Sequence, residues 1–302
     1  MNFLSSVPYL FETLRFVNKE KELGRSYLDN PGLLSEDAAR MTLWTIIILG
    51  VVEGLTEFLP ISSTGHLILV GYALNFTGEQ ATSFEIVIQL GSILSVLVYF
   101  RRRLWQLLVG FHSDPVSRHL FAAIGVAFLP AAALGLTLHG WIEAHLFSPV
   151  TVAGALIAGG AVILLVEHNL GDRQITGVNQ IRLSQAWWVG VAQCVSLFPG
   201  VSRSGATIIG GLLTGLDRTT ATEFSFLLAL PTMLAATGYK LLTSHSLLLQ
   251  GDPLALPIGL AAAFLTGLAV VAGFLAYIKS HTFKPFAYYR IVLGVVILAV
   301  VG

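Results

Sequence analysis

Glu53 and Glu57 stand four residues apart, and the hydroxyls of Ser62, Ser63 and Thr64 follow, closed by His66. Residues at i and i+4 share one face of a helix, so both carboxylates point the same way. Such a pair can hold a hard divalent ion through oxygen ligands, or can alter one another's proton affinity for acid–base work. A hydroxyl with an imidazole a few residues on can form an activated nucleophile with its base. Plainer readings stand beside these. The glutamates could bond to neighbouring helices, Ser and Thr at a helix start are commonly caps, and a lone His is commonly a satisfied polar group.

A second constellation runs Pro199-Gly200-Val201-Ser202-Arg203-Ser204-Gly205-Ala206-Thr207, a guanidinium among small hydroxyls and glycines just ahead of an apolar stretch. Its chemistry is that of an anion cradle. Glycines let backbone N–H groups approach, a helix N-terminus favours negative charge, and the planar Arg203 fork matches phosphate oxygens. Arg203 could equally neutralise a glutamate of the first constellation, and the two roles are compatible.

The constellations are copies. Gly50–Leu67 aligns with Gly190–Thr207 at an offset of 140 residues, and Ala81–Leu94 aligns with Ala221–Leu234 at the same offset. Ten of the 32 ungapped positions are identical, which marks a duplicated chain whose halves kept register. The copies differ where chemistry would sit. Glu53, Glu57, Ser63 and His66 correspond to Gln193, Leu197, Arg203 and Ala206, so one copy brings acid and base groups and the other a cation.

The elements that must position these groups are membrane helices. Hydrophobic residues make up 55% of the 302 and charged ones 11%, with a mean hydropathy of +0.77, too apolar for a soluble domain. The 17 basic and 17 acidic side chains balance, so no nucleic-acid footprint is present, and the lone Cys194 excludes an intrachain disulfide. Six segments approach the length of a span: 84–100, 119–138, 150–166, 222–242, 254–278 and 286–301. Three fall in each copy, so the second copy must cross in the opposite sense, an inverted repeat.

Loop charges agree. Arg101, Arg102, Arg103, Arg118, Arg173, Arg182, Arg218, Lys279 and Lys284 all belong to one set of alternate loops, while 139–149 and 243–253 hold no Lys or Arg. The segments 42–74 and 184–215 break at proline, glycine and serine and read as re-entrant helix–loop–helix hairpins, whose tips would meet at the midplane. The expected fold is therefore an all-α polytopic membrane protein with six transmembrane helices and two re-entrant hairpins. Its single membrane domain, 41–302, divides into repeats at about 42–167 and 184–301, behind an extension, 1–40, of open role and open start codon. Glu85, Gln89, Glu223 and Ser225 read as supporting or packing polar groups. His112, His119, His139, His145, His168, His245 and His281 read as solvated or interfacial, and Trp187-Trp188 as an interfacial belt.

Glu53-Gly-Leu-Thr-Glu57, the SSTGH run ending at His66, and Pro199–Thr207 together resemble the signature of the undecaprenyl-diphosphate phosphatase, or bacitracin-resistance, family. The similarity extends from about Met41 to the C-terminus. The resemblance implies an enzyme of the bacterial cytoplasmic membrane, with its site towards the outer face. That enzyme removes the terminal phosphate of a C55 polyprenyl diphosphate, so that the lipid carrier returns to cell-wall synthesis, and it uses a divalent cation such as Mg²⁺ or Ca²⁺. By position, Arg203 would clamp the diphosphate with Ser62, Thr64, Ser202, Ser204 and Thr207. Glu53 and Glu57 would hold the metal or orient catalytic groups, and Ser63 and His66 would supply nucleophile and base, in an order left open. Chain-length selectivity and a homodimer also stay open. The rival reading is a polyprenyl-phosphate transporter using the same inverted-repeat cavity, because fold alone does not separate carrier from enzyme.

Overall fold

Helices built from Leu, Ile, Val, Ala and Gly dominate the structure, a computed structural model describing residues 43–76, 79–146, 148–171, 175–248 and 254–300. The extension assigned to residues 1–40 lies outside the described residues. In chain order the helices are α1 (Leu43–Thr56), α2 (Ser63–Ala73), α3 (Glu79–Tyr99), α4 (Arg101–Gly110), α5 (Pro115–Leu146) and α6 (Pro149–His168). They continue as α7 (Leu183–Cys194), α8 (Arg203–Leu213), α9 (Arg218–Leu248), α10 (Ala255–Ile278) and α11 (Lys284–Val300). Among the described residues the only extended pairing is a single bridge between Ile175 and Leu216.

Pro115–Leu138, Pro149–His168 and Ala255–Ile278 are each long and apolar enough to cross a membrane, and α3 with α4 joins them if that bent pair is one span. The other expected spans are helical too. Residues 222–242 lie in α9 and 286–301 overlap α11, whose 17 residues rise about 26 Å. Leu129, Leu136, Leu165, Leu265 and Val292 are all more than half exposed. A surface that apolar is stable against hydrocarbon and not against water, so this is a helical membrane protein.

Packing repeats between the two sequence copies. α10 lies against α1 and α3, and α5 lies against α7 and α9; α6 touches α8 while α11 touches α2, and α6 pairs with α11. Small residues make these contacts close, as expected where helices associate in lipid by backbone approach. A Cβ on Gly50 of α1 would sit 2.6 Å from the Gly259 carbonyl of α10, and one on the matching Gly190 of α7 would run into the Ala127 backbone of α5. At the far end of α6, eleven residues or about 17 Å beyond Leu156, the fully buried Glu167 side chain accepts two bonds from Arg218 (3.0 and 2.6 Å) and one from the Phe283 N–H (2.8 Å). That clasp ties α6, α9 and the entry to α11.

Close approach makes glycine at position 54 obligatory, since a Cβ there would lie 2.5 Å from the Ala263 carbonyl. Gly54→Leu is expected to cost about 3 kcal/mol and to lower the melting temperature in detergent by about 5–10 °C, followed by circular dichroism. Gly125→Leu, on an exposed face of α5 with open space around it, should leave the melting temperature unchanged.

Candidate active site

Both glycine- and serine-rich segments break their helices at the same repeat position. α1 ends at Thr56 and α2 resumes at Ser63, while a short turn at Val195–Leu197 follows α7 and α8 resumes at Arg203. The residues that start the second helix, Ser62 (φ 68°, ψ 104°) and Ser202 (φ 73°, ψ 118°), share a positive φ. Non-glycine residues held there cost about 1–3 kcal/mol, so both tips are strained alike. Gly200, at φ 89°, needs its lack of side chain twice, because a Cβ would also fall 2.5 Å from the Val152 carbonyl.

The two tips meet at Glu57. One of its oxygens accepts the Ser63 hydroxyl at 2.7 Å and the other accepts Arg203 Nη2 at 3.3 Å, with both Glu57 and Arg203 almost completely buried. Arg203 also donates to the Ser225 carbonyl at 3.2 Å and lies 5.7 Å from the centre of the Phe58 ring. Its Nε has no partner, and neither has Oε1 of the buried Glu53 one turn before Glu57. Unsatisfied buried polar atoms cost about 1–3 kcal/mol each, and more when charged.

The hydroxyls that flank Arg203 in sequence bond around the tips. Ser204 donates to the Leu59 carbonyl of the other tip (2.8 Å) and lies 3.0 Å from the Ser202 hydroxyl, which caps α8 by accepting from the Gly205 N–H (3.1 Å). Thr207 bonds back to the Arg203 carbonyl (2.9 Å) and sits 2.6 Å from the Ser225 hydroxyl of α9. Thr64 is half-buried in the first turn of α2. Ser225, read from the sequence as a supporting residue, thus touches both Arg203 and Thr207. Glu223 instead pairs with Arg103. Gln193, the counterpart of Glu53, is equally buried, and its Nε2 is also unpartnered.

His66 stands apart from Ser63. Its Nδ1 lies 2.7 Å from the Ser62 carbonyl and its Nε2 lies 2.7 Å from the Tyr289 hydroxyl, with the two rings stacked at 5.5 Å. A carbonyl only accepts, so Nδ1 carries the proton, and in the neutral ring the Nε2 lone pair accepts from Tyr289. The expected Ser63–His66 pairing is replaced by Ser63–Glu57.

Sequence reasoning passed over Tyr289 and Arg290. Arg290 of α11 is 1% exposed and faces no carboxylate. It donates instead to four carbonyls: Pro60 of one tip (3.1 Å), Gly200 of the other (3.3 Å), and Ala155 and Leu156 of α6 (3.2 and 3.3 Å). The available signal was a charge inside an otherwise apolar span, which in a membrane segment is costly enough to demand a role.

Fold and site together define a polytopic helical membrane protein with a buried acid–hydroxyl–guanidinium centre, assembled where two broken helices meet. Residues 46–296 match the model of the family described as bacitracin resistance protein BacA. The undecaprenyl-diphosphatase of Caldanaerobacter subterraneus subsp. tengcongensis is 52% identical over 259 residues, covering 84% of this chain and 94% of that one. The undecaprenyl-diphosphatase of Methylobacillus flagellatus is 50% identical over 264 residues, covering 86% and 98%, and undecaprenyl-diphosphatase 1 of Pseudomonas fluorescens is 49% identical over 262. The chain belongs to the BacA family.

Removing Arg290 would take the buried donor from the Pro60 and Gly200 carbonyls of both tips and break its bonds to α6. Arg290→Met is expected to destabilise the protein by about 3 kcal/mol or more, read as a lower melting temperature in detergent. Arg290→Lys should recover only part of that loss, because one ammonium cannot span acceptors on three segments.

Proposed function

We propose that the protein hydrolyses undecaprenyl diphosphate to undecaprenyl phosphate and inorganic phosphate, returning the lipid carrier to cell-wall synthesis and so conferring resistance to bacitracin. The shared name of the relatives supports this substrate. The observation that carries the mechanism is Glu57 engaging Ser63 and Arg203 at once. The protein sits in the bacterial cytoplasmic membrane with its site towards the outer face. Residues 42–74 and 184–215 are re-entrant hairpins within an inverted repeat of six spans, a reading that the matched packing of the two copies supports.

Arg203 binds the terminal phosphoryl group, with Ser202, Ser204 and Thr207 around it. When the diphosphate takes Arg203, Glu57 is freed to accept the Ser63 proton. Ser63 Oγ then attacks the terminal phosphorus, the bond from that phosphorus to the bridging oxygen breaks, and undecaprenyl phosphate leaves. Water cleaves the phosphoserine, releasing phosphate and restoring the hydroxyl. His66 is the alternative nucleophile through Nε2, and that route requires the Tyr289 hydroxyl to give way. Positioning and charge stabilisation of this kind dominate phosphoryl transfer.

A divalent cation, Mg²⁺ or Ca²⁺, fits the centre at the carboxylates. Glu53 offers a buried, unpartnered oxygen, and Glu57 is one helical turn away. Among the described residues no three His, Cys, Asp or Glu side chains cluster, so further ligands would be phosphate oxygens and water. When bound, the ion would offset the charge of the diphosphate.

Phosphate release from undecaprenyl diphosphate by the purified protein should need the cation and stop with EDTA. Arg203→Ala should lower turnover by about 10²–10³, and Arg203→Lys should restore little, since a point charge does not replace a planar fork. Full activity in the lysine variant would count against the clamp. Rapid acid quench with labelled substrate should trap an acid-stable phosphoserine that Ser63→Ala lacks; an acid-labile phosphohistidine would assign the attack to His66.

A further inference from the structure

α4 is a short amphipathic helix that follows α3 directly. It leaves α3 at an angle of 70°, so if α3 spans the bilayer, α4 runs close to the membrane plane. Its sequence, RRRLWQLLVG, divides into three faces at 100° per residue. Leu104 and Leu107 turn inward and pack on the core. Trp105, Leu108 and Val109 are 68%, 61% and 61% exposed, an outward apolar face that Phe111 extends. Arg102, Arg103 and Gln106 form the polar face, and Arg101 opens the helix.

Between α4 and the start of α5 lies a cleft of about 760 Å³, lined by Arg102, Arg103, Trp105, Gln106, Ser117 and Asn179 among others. Arg103 is committed, pairing with Glu223 and donating to Asn179 Oδ1 at 2.9 Å. Arg101, Arg102 and Arg118 are exposed around it. The one acid at the rim is Asp114. It caps α5 by accepting from the Val116 and Ser117 N–H groups (3.1 and 3.0 Å) and from the Ser117 hydroxyl (2.6 Å), bonds that hold its carboxyl below the ordinary value. Its charge is held chiefly by the first turn of α5, with Arg118 also acting on it.

We propose that this cleft and the outward face of α4 form a binding site for an anionic phospholipid, its phosphodiester on Arg101 and Arg102 and its acyl chain along Trp105, Leu108 and Val109. Three features select this occupant over a free anion. The cationic rim is continuous with an exposed apolar strip, the tryptophan sits at the boundary between them as at membrane interfaces, and the helix axis follows the surface. A zwitterionic headgroup would bring its own cation to the arginines, so the preference is for a headgroup with net negative charge. The site is remote in sequence from the acid–hydroxyl–guanidinium centre and does not depend on the reaction proposed for it.

Phosphatidylglycerol brominated in its acyl chain, titrated into the full-length protein in phosphatidylcholine mixed micelles, tests this through tryptophan quenching. The emission belonging to Trp105 is the difference between wild type and Trp105→Phe. Expected are quenching of Trp105 at a lower mole fraction of brominated phosphatidylglycerol than of brominated phosphatidylcholine, and no competition by inorganic phosphate. Arg101→Gln/Arg102→Gln should raise the half-quenching fraction about 25-fold, a factor of about five per arginine, and Arg102→Gln alone about fivefold. The melting temperature and phosphate release at saturating substrate should be unchanged in both variants, which separates lost lipid binding from lost folding. Equal half-quenching by the two lipids, no quenching of Trp105 by either, displacement by inorganic phosphate, or an unaltered preference in well-folded variants would each overturn the proposal.

Discussion

A helix that stops inside an apolar slab strands its last carbonyls and the next N–H groups away from water, at a cost of several kcal/mol for each one left unpaired. Two helices break here, after Thr56 and in the turn following Cys194, and their tips bond to one another. Each completes the other. Arg290 donates to the Pro60 and Gly200 carbonyls, Ser204 to Leu59, and Arg203 to Glu57. The polar centre forms where the two interrupted helices are buried against one another, with the strained backbones of Ser62 and Ser202 held in the two tips.

Charge at the centre is arranged for something other than stability. Buried ion pairs recover at best about what their desolvation costs, and the Arg203–Glu57 contact at 3.3 Å is long. Arg203 keeps an unbonded Nε and Glu53 an unbonded oxygen. Arg290 carries a second positive charge that only carbonyl dipoles offset, within reach of the same tips.

Much of this was legible in the chain. Hydropathy located all six long helical segments, and proline, glycine and serine marked the two interruptions, because water-free surroundings leave few alternatives to helix. The meeting of Arg203 with a glutamate of the other tip was the plainer of two readings left open beside the anion cradle. Partner choice within the first tip was not legible. An imidazole three residues after Ser63 looked like its base, but a side chain at a helix start leans back over the preceding turn, which brings Ser63 to Glu57, while His66 reaches back to the Ser62 carbonyl. Arg290 showed only as a charge inside an apolar span and Tyr289 not at all, since their partners lie between 90 and 230 residues away in the chain. The 70° turn into α4 was equally silent, for a short arginine-led segment reads as a loop until its axis is known.

The duplication explains why one carboxylate serves both tips. Ser63 and Arg203 occupy the same repeat position, the first residue of the second helix in each hairpin, directly after serines of like φ and ψ. Two tips that face one another as copies present equivalent residues to a shared point, and Glu57 stands there, bonded to both. Had the copies stayed identical, two serines or two arginines would have met at that point. Divergence at this single position supplies a guanidinium from one side and a hydroxyl from the other. The remaining differences follow the same division, with Glu53 against Gln193 and His66 against Ala206, so the titratable acid and imidazole groups lie in the first copy and the guanidinium in the second.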